Sequence, residues 1–183
     1  MNFKRHLDLE GKHAFLSPST YHWINYDDTK LAARFVSSQE ARRGTALHEF
    51  AKNAIELGIR LPDTDSTLHR YVNDAIDLEM NVEQALYYSP NCFGHADALS
   101  FRNNLLRISD LKTGSTSSSM HQLEVYAALF CLEYGYSPFD IEIELRIYQS
   151  NDVRALNPEP EAILRIMDKI ISFDRLLTTL RGD

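Results

Sequence analysis

Asp97, Asp110 and Lys112 are the residues whose types and spacing most directly suggest chemistry. The segments FGHADALSF and NLLRISDLK read as two strands. The polar pair Asn103-Asn104 between them reads as a tight turn, because Asn tolerates the positive φ that such turns need. Counting back from the turn sets Arg102 against Leu105 and Phe101 against Leu106, and the count reaches Asp97 opposite Asp110. Directly opposed residues hold their Cβ atoms about 4.5–5.5 Å apart, and like charges there destabilise a sheet. A divalent cation between the two acids gives the pair a purpose, since Mg2+ is typically held by one or two carboxylates with water and substrate phosphate. Alternation along the strand brings Lys112 to the face of Asp110, flanked by the apolar Leu106 and Ile108. The same residues also suit a salt-bridge cluster on a solvated sheet face, and the hairpin alone does not choose between the two.

Other residues can join the patch. GTALHEF places His48 near the start of a helix, beside its apolar stripe, where it can turn inward as a ligand or serve structure alone. Imidazole is less usual for Mg2+ but acceptable to Mn2+. A zinc-protease helix would need a second histidine at i+4, and that position is Lys52. Gln122 and Tyr126, four apart on a later helix, share one face. By themselves they equally describe an ordinary, partly exposed helix surface.

The elements that must hold these residues follow from hydrophobic periodicity. Residues 17–23 open with Ser-Pro, as a helix start does. A longer helix is expected over residues 39–57, with Leu47, Phe50, Ala51, Ala54 and Leu57 inward, and another over residues 66–79. EQALYYS reads as the strand that precedes the hairpin. The helical pattern returns over residues 120–134, with Leu123, Ala127, Phe130 and Tyr134 on one stripe, after a serine-rich loop at 115–119. Residues 141–149 alternate, with Ile141, Ile143, Leu145 and Ile147 inward and Glu142, Glu144 and Arg146 outward. A last amphipathic helix over 161–180 carries Ile163, Ile166, Met167, Ile170, Leu177 and Leu180. That order predicts an α/β domain with a mixed sheet. No repeat or linker divides the sequence, so one domain over residues 1–183 is expected.

Composition narrows the class. The chain has 183 residues, 44% hydrophobic and 25% charged, enough for a buried core and too balanced for wholesale disorder. No apolar run approaches the roughly 20 residues that span a bilayer. MNFKRHLDLEGKH lacks the apolar stretch of a secretory signal, so a cytoplasmic protein with no membrane partner is expected. Cys92 and Cys131 are too few for a disulfide scaffold or an all-cysteine metal site, and both read as buried small hydrophobes. A net charge of -7 is not the footprint of a general nucleic-acid binder, although a basic groove can exist on an acidic protein.

Taken together, these residues resemble the RecB-like exonuclease branch of the PD-(D/E)XK nuclease superfamily. The family pattern is G-x-x-x-H on a helix, G-x-x-D on a strand, [DE]-x-K on a strand and Q-x-x-x-Y on a helix. Here these read GTALH, GHAD, DLKTG and QLEVY, in that order, and LSPST…W resembles the family's N-terminal helix. The match runs from about residue 15 to residue 148, and four motifs in register are far more specific than any one. The resemblance implies a restriction-endonuclease-like core, a mixed sheet with a catalytic hairpin flanked by helices. It implies a metal-dependent DNA nuclease, an exonuclease in DNA processing, recombination or repair.

In that resemblance His48, Asp97 and Asp110 ligate Mg2+ or Mn2+ with the backbone carbonyl of Leu111. Lys112 positions the attacking water and stabilises charge on the phosphate, while Gln122 and Tyr126 contact the DNA backbone. Glu83 is a candidate additional carboxylate, and Arg42, Arg43, Lys52 and Arg102 are candidates for a basic channel, Arg43 above all. Relatives in CRISPR adaptation carry four cysteines that hold an iron–sulfur cluster; two cysteines here predict no such cluster. With no Walker motif, a stand-alone nuclease or a subunit recruited by a protein partner is expected. The rivals are an inactive nuclease-fold regulator that binds DNA or protein, and a metal-dependent hydrolase of RNA or smaller phosphoesters. An acid–acid–lysine set argues against the first, because a binding module does not need it.

Overall fold

In the computed structural model, which describes residues 14–114 and 118–181, two asparagines set the register of the sheet. Asn103 and Asn104 both adopt left-handed backbone, with φ of 51° and 60°. That geometry matches the right-handed twist of the strands on either side. The turn joins β2 (Cys92–Arg102) to β3 (Leu105–Lys112). Before the hairpin come a 3-10 segment (Pro18–Asn25), α1 (Asp28–Glu56), α2 (Thr67–Asp77) and β1 (Asn81–Ser89). After it come α3 (His121–Tyr134), β4 (Glu142–Gln149), β5 (Asp152–Leu156) and α4 (Pro160–Arg181). The five strands lie in chain order, β1 to β5. Neighbours are antiparallel except β3 and β4, whose parallel pairing is bridged by α3. This is an α/β fold with a mixed sheet, the class that the sequence pattern predicts.

Helices cover the sheet on both sides. Leu99, Leu106, Ile108 and Leu145 share one core with Leu123, Ala127 and Phe130 of α3 and Ile163 of α4. Ala98, Leu111 and Tyr148 share another with Ala51, Ala54 and Ile55 of α1 and Tyr71, Val72 and Ala75 of α2. The described residues up to Arg43 form one compact unit, and those from Gly44 onward form a second. Among the described residues, no helix is long and apolar enough to cross a membrane.

Several expectations are corrected. α1 begins at Asp28 rather than at residue 39, because the Asp27 carboxylate accepts the Lys30 N–H at 2.7 Å and caps an earlier start. Its buried face is Gly44, Ala51, Ala54 and Ile55, whereas Phe50 and Leu57 are exposed. His48 lies on that rotated face at helical spacing. Residues 17–23 form 3-10 turns rather than an α-helix, with the Trp23 indole donating to the Ser17 carbonyl at 3.0 Å.

β5 escaped the sequence reading. Its five residues are too few for a clear period-two signal, and Ser150 and Asn151 form a second turn with both φ positive. Glu144 and Arg146 are not a solvated face, since Glu144 pairs with Arg107 and Arg146, and Arg146 reaches Asp74 of α2. α3 is buried around Ala127 to Cys131 while Tyr134 is half exposed, so it lacks a clean stripe. Leu177 and Leu180 of α4 are exposed; its packing comes from Ile163, Ile166, Met167 and Ile170. Cys131 is buried as expected, but Cys92 is only half-buried. The segment MNFKRHLDLEGKH and residues 115–117 of the serine-rich loop lie outside the described residues.

Candidate functional site

The hairpin ladder runs from Arg102–Leu105 to Ala98–Ser109, the register counted from the sequence. Asp97 and Asp110 stand next in that register, one step beyond the last paired residues. Leu106 and Ile108 point into the core beneath α3, so Asp110 and Lys112, two and four positions on from Ile108, follow them on that face. The Asp110 side chain is only 3% exposed, with Oδ1 3.0 Å from Lys112 Nζ. Its other oxygen, Oδ2, is buried and has no hydrogen-bond partner. Lys112 Nζ also donates to Gln122 Oε1 at 3.0 Å, which ties the strand to the first turn of α3.

Asp97 is served from two other elements. Its Oδ2 accepts the Leu111 N–H at 3.2 Å and lies 3.3 Å from His48 Nδ1 of α1. Burial pushes the Asp97 carboxyl up to about 6, and the negative charge of Asp110 pushes in the same direction. His48, the Leu111 N–H and Lys112 partly oppose that rise. His48, Asp97, Asp110, Lys112 and Gln122 therefore form one connected set drawn from four separate segments. The Leu111 side chain is buried in the opposite core, among α1 and α2 residues.

Two glycines explain how the segments approach. A Cβ on Gly44 would come within 2.8 Å of Thr113 Oγ1, so α1 lies directly over the residue after Lys112. A Cβ on Gly94 would come within 3.0 Å of Tyr126 Cε1, and the Tyr126 hydroxyl donates to the His95 carbonyl at 2.7 Å. Each glycine is the room into which a residue of another motif packs. Tyr126 is thus occupied in fastening α3 to the main chain of β2.

Two further groups belong to this neighbourhood. Tyr71 of α2 is buried, and its phenol is held well above the usual range by that burial and by the charges of Asp97, Asp110 and Glu83. No spacing in α2 marks Tyr71, which from sequence is one more core aromatic. Glu83 has a left-handed φ of 50°, and the β1–β2 ladder pairs Val82 with Ala98 and Gln84 with Ala96 but skips the step between, opposite Asp97. Of the proposed basic residues, Arg42 and Arg43 are exposed at the end of the first unit. Arg102 is paired with Glu79. A cavity of about 280 Å³ lies at the turn end of the hairpin, lined by Asp77, Arg102, Asn103, Arg107 and Glu142 among others, and includes none of the site residues.

No family model, curated protein or solved structure matches the chain.

The fit of the site to a cation is therefore judged on its own atoms. The donors are two carboxylates and an imidazole, a set suited to Mg2+ or Mn2+. Asp110 Oδ2 is a buried anionic oxygen with nothing to satisfy it, and a cation would do so. Among the described residues, no three His, Cys, Asp or Glu side chains are drawn together tightly enough to form a ready-made cage. Lys112 pairs instead with Asp110 Oδ1, and the Leu111 N–H donates to Asp97 Oδ2. The donor set fits a cation that gathers its ligands as it binds.

Proposed function

We propose that this chain is a metal-dependent DNA nuclease, an exonuclease of the RecB-like type with a restriction-endonuclease-like core, acting in the cytoplasm. The observation that carries the reading is the unsatisfied oxygen of buried Asp110, beside a second acid and a lysine amine. A binding surface has no use for such an arrangement, because a buried unpaired carboxylate oxygen destabilises the fold. His48, Asp97 and Asp110 would hold Mg2+ or Mn2+, with the Leu111 carbonyl as a further ligand. Bound there, the cation would supply an acidified water and charge relief on the phosphate.

The side chains do the rest. Lys112 has three N–H donors, of which Asp110 and Gln122 take two, leaving one for the attacking water or a phosphate oxygen. Gln122 accepts from Lys112 through Oε1, which leaves its amide N–H groups for the DNA backbone. Because Asp97 must be ionised to bind a cation, metal affinity falls as pH drops below about 6. Purified protein should degrade linear DNA with Mg2+ or Mn2+ and stop in EDTA. Lys112→Ala and Asp110→Ala should each lose most activity while staying folded. Undiminished cutting by Lys112→Ala would sink the assignment.

A further inference from the structure

Lys112, the last residue of β3, pairs in the parallel ladder with Gln149, the last residue of β4. Gln149 is only 7% exposed, and its amide turns toward the loop that leaves Lys112. Nε2 donates to the Gly114 carbonyl at 2.7 Å, and Oε1 accepts the Ser118 N–H at 3.2 Å. Arg154 of β5 adds a donation from Nη2 to the Ser118 carbonyl at 2.6 Å. Gly114 and Ser118 are thus both fastened to the β4–β5 hairpin. Just beyond Ser118 the chain enters α3, whose Gln122 accepts from Lys112.

A primary amide suits this place because one group offers a donor and an acceptor at once, so one side chain can serve a carbonyl and an N–H. The β4–β5 hairpin has its own main-chain ladder, of which the Gln149 side chain is no part. What the amide holds is the main chain at Gly114, after the amine, and at Ser118, before α3. We infer that Gln149, backed by Arg154, is a positioning residue for the cleavage centre. It keeps Gly114 and Ser118 in place so that Gln122 meets Lys112 and the amine stays aimed. The inference rests on the nuclease reading for its effect on rate, but the clamp itself can be measured without activity.

Gln149→Met keeps the side-chain volume and removes the amide bonds to Gly114 and Ser118, and Arg154→Met removes the donation to the Ser118 carbonyl. With the full chain, Mg2+ and linear DNA at single turnover, Gln149→Met should slow cutting roughly 10- to 100-fold, the scale of a small misplacement at a reacting centre. DNA affinity should fall by much less than the rate. In a Lys112→Ala background the same substitution should cost nothing further, because two changes acting through one group do not add. Losses that multiply in the double variant would overturn the inference. The second readout is acylation of the Lys112 amine, followed by peptide mass spectrometry in the absence of DNA. Gln149→Met should speed it several-fold as the amine loses Gln122, and an unchanged rate would refute the clamp. If the wild type fails to cut DNA while acylation still accelerates, the nuclease reading falls and the clamp stands. Should Gln149→Met not fold, Arg154→Met carries both readouts at smaller amplitude.

Discussion

Replacing Asp97 by Asn tests the electrostatics of the site without any substrate. In the metal-free protein the Asp97 carboxyl is raised from 3.8 to about 6, through burial first and the charge of Asp110 second. Ionising it in the folded state at neutral pH therefore costs roughly 3 kcal/mol, at about 1.4 kcal/mol for each pH unit. Asn removes the charge at nearly constant shape and keeps an oxygen for the Leu111 N–H. Allowing for the weaker hydrogen bond of a neutral acceptor, a net gain of about 1–3 kcal/mol is expected. In a chain of this size that raises the melting temperature by roughly 2–10 °C. The sign follows from proton counts. Between about pH 4 and pH 6 the folded state holds a proton that the unfolded chain has released, so wild-type stability falls as pH rises and the penalty is complete above about pH 6. Thermal melts in EDTA across that window should show a slope in the wild type and a flatter one in Asp97→Asn, converging below about pH 4. Adding Mg2+ or Mn2+ should raise the wild-type melting temperature and do little for the variant. A variant that melts below wild type in EDTA at neutral pH, with the same pH slope, would show that Asp97 ionises without penalty.

Gly94→Ala should destabilise the protein by about 1–2 kcal/mol, because the new methyl meets the Tyr126 ring. In a Tyr126→Ala background that cost should disappear, and a persistent cost in denaturant melts would place the conflict elsewhere. End-directed action predicts that linear DNA is consumed faster than closed circles; equal rates on a gel would indicate internal cleavage. Anaerobically purified protein should be colourless, and Cys92→Ser and Cys131→Ala should keep most of their cutting activity. Visible absorbance lost on either substitution would argue for a cysteine-held cluster.

The hairpin was legible because its determinants are local. Two asparagines at the turn and strict alternation set the register, and the register carried Asp97 and Asp110 together. The Lys112–Gln122 contact was half legible, as residue types in two motifs rather than as a bond. The Asp110–Lys112 ion pair is the salt-bridge alternative that the residue types left open, whereas the burial that raises the Asp97 carboxyl depends on packing and was not legible. The rest was hidden because it depends on tertiary packing. α1 buries small residues where the apolar pattern favoured Phe50 and Leu57, and only that rotation sets His48 toward Asp97. Tyr71 and Gln149 come from elements far along the chain and carry no spacing signal. β5 was missed because five residues are too few to establish a period.

Glu83 has a consequence for how the molecule avoids its own kind. β1 is an outer strand, and a flat outer strand presents a row of free N–H and C=O groups on which another chain can grow. The left-handed backbone at Glu83 interrupts that row near its start and places an exposed carboxylate there. A strand arriving from another molecule could pair on only one side of the break before meeting a charge. The opposite border, β5, is only five residues long and begins on Asp152, so it too offers a poor template. The conformation beside Asp97 costs about 1–3 kcal/mol locally, and at the same time makes the start of this outer strand a poorer template for a second chain.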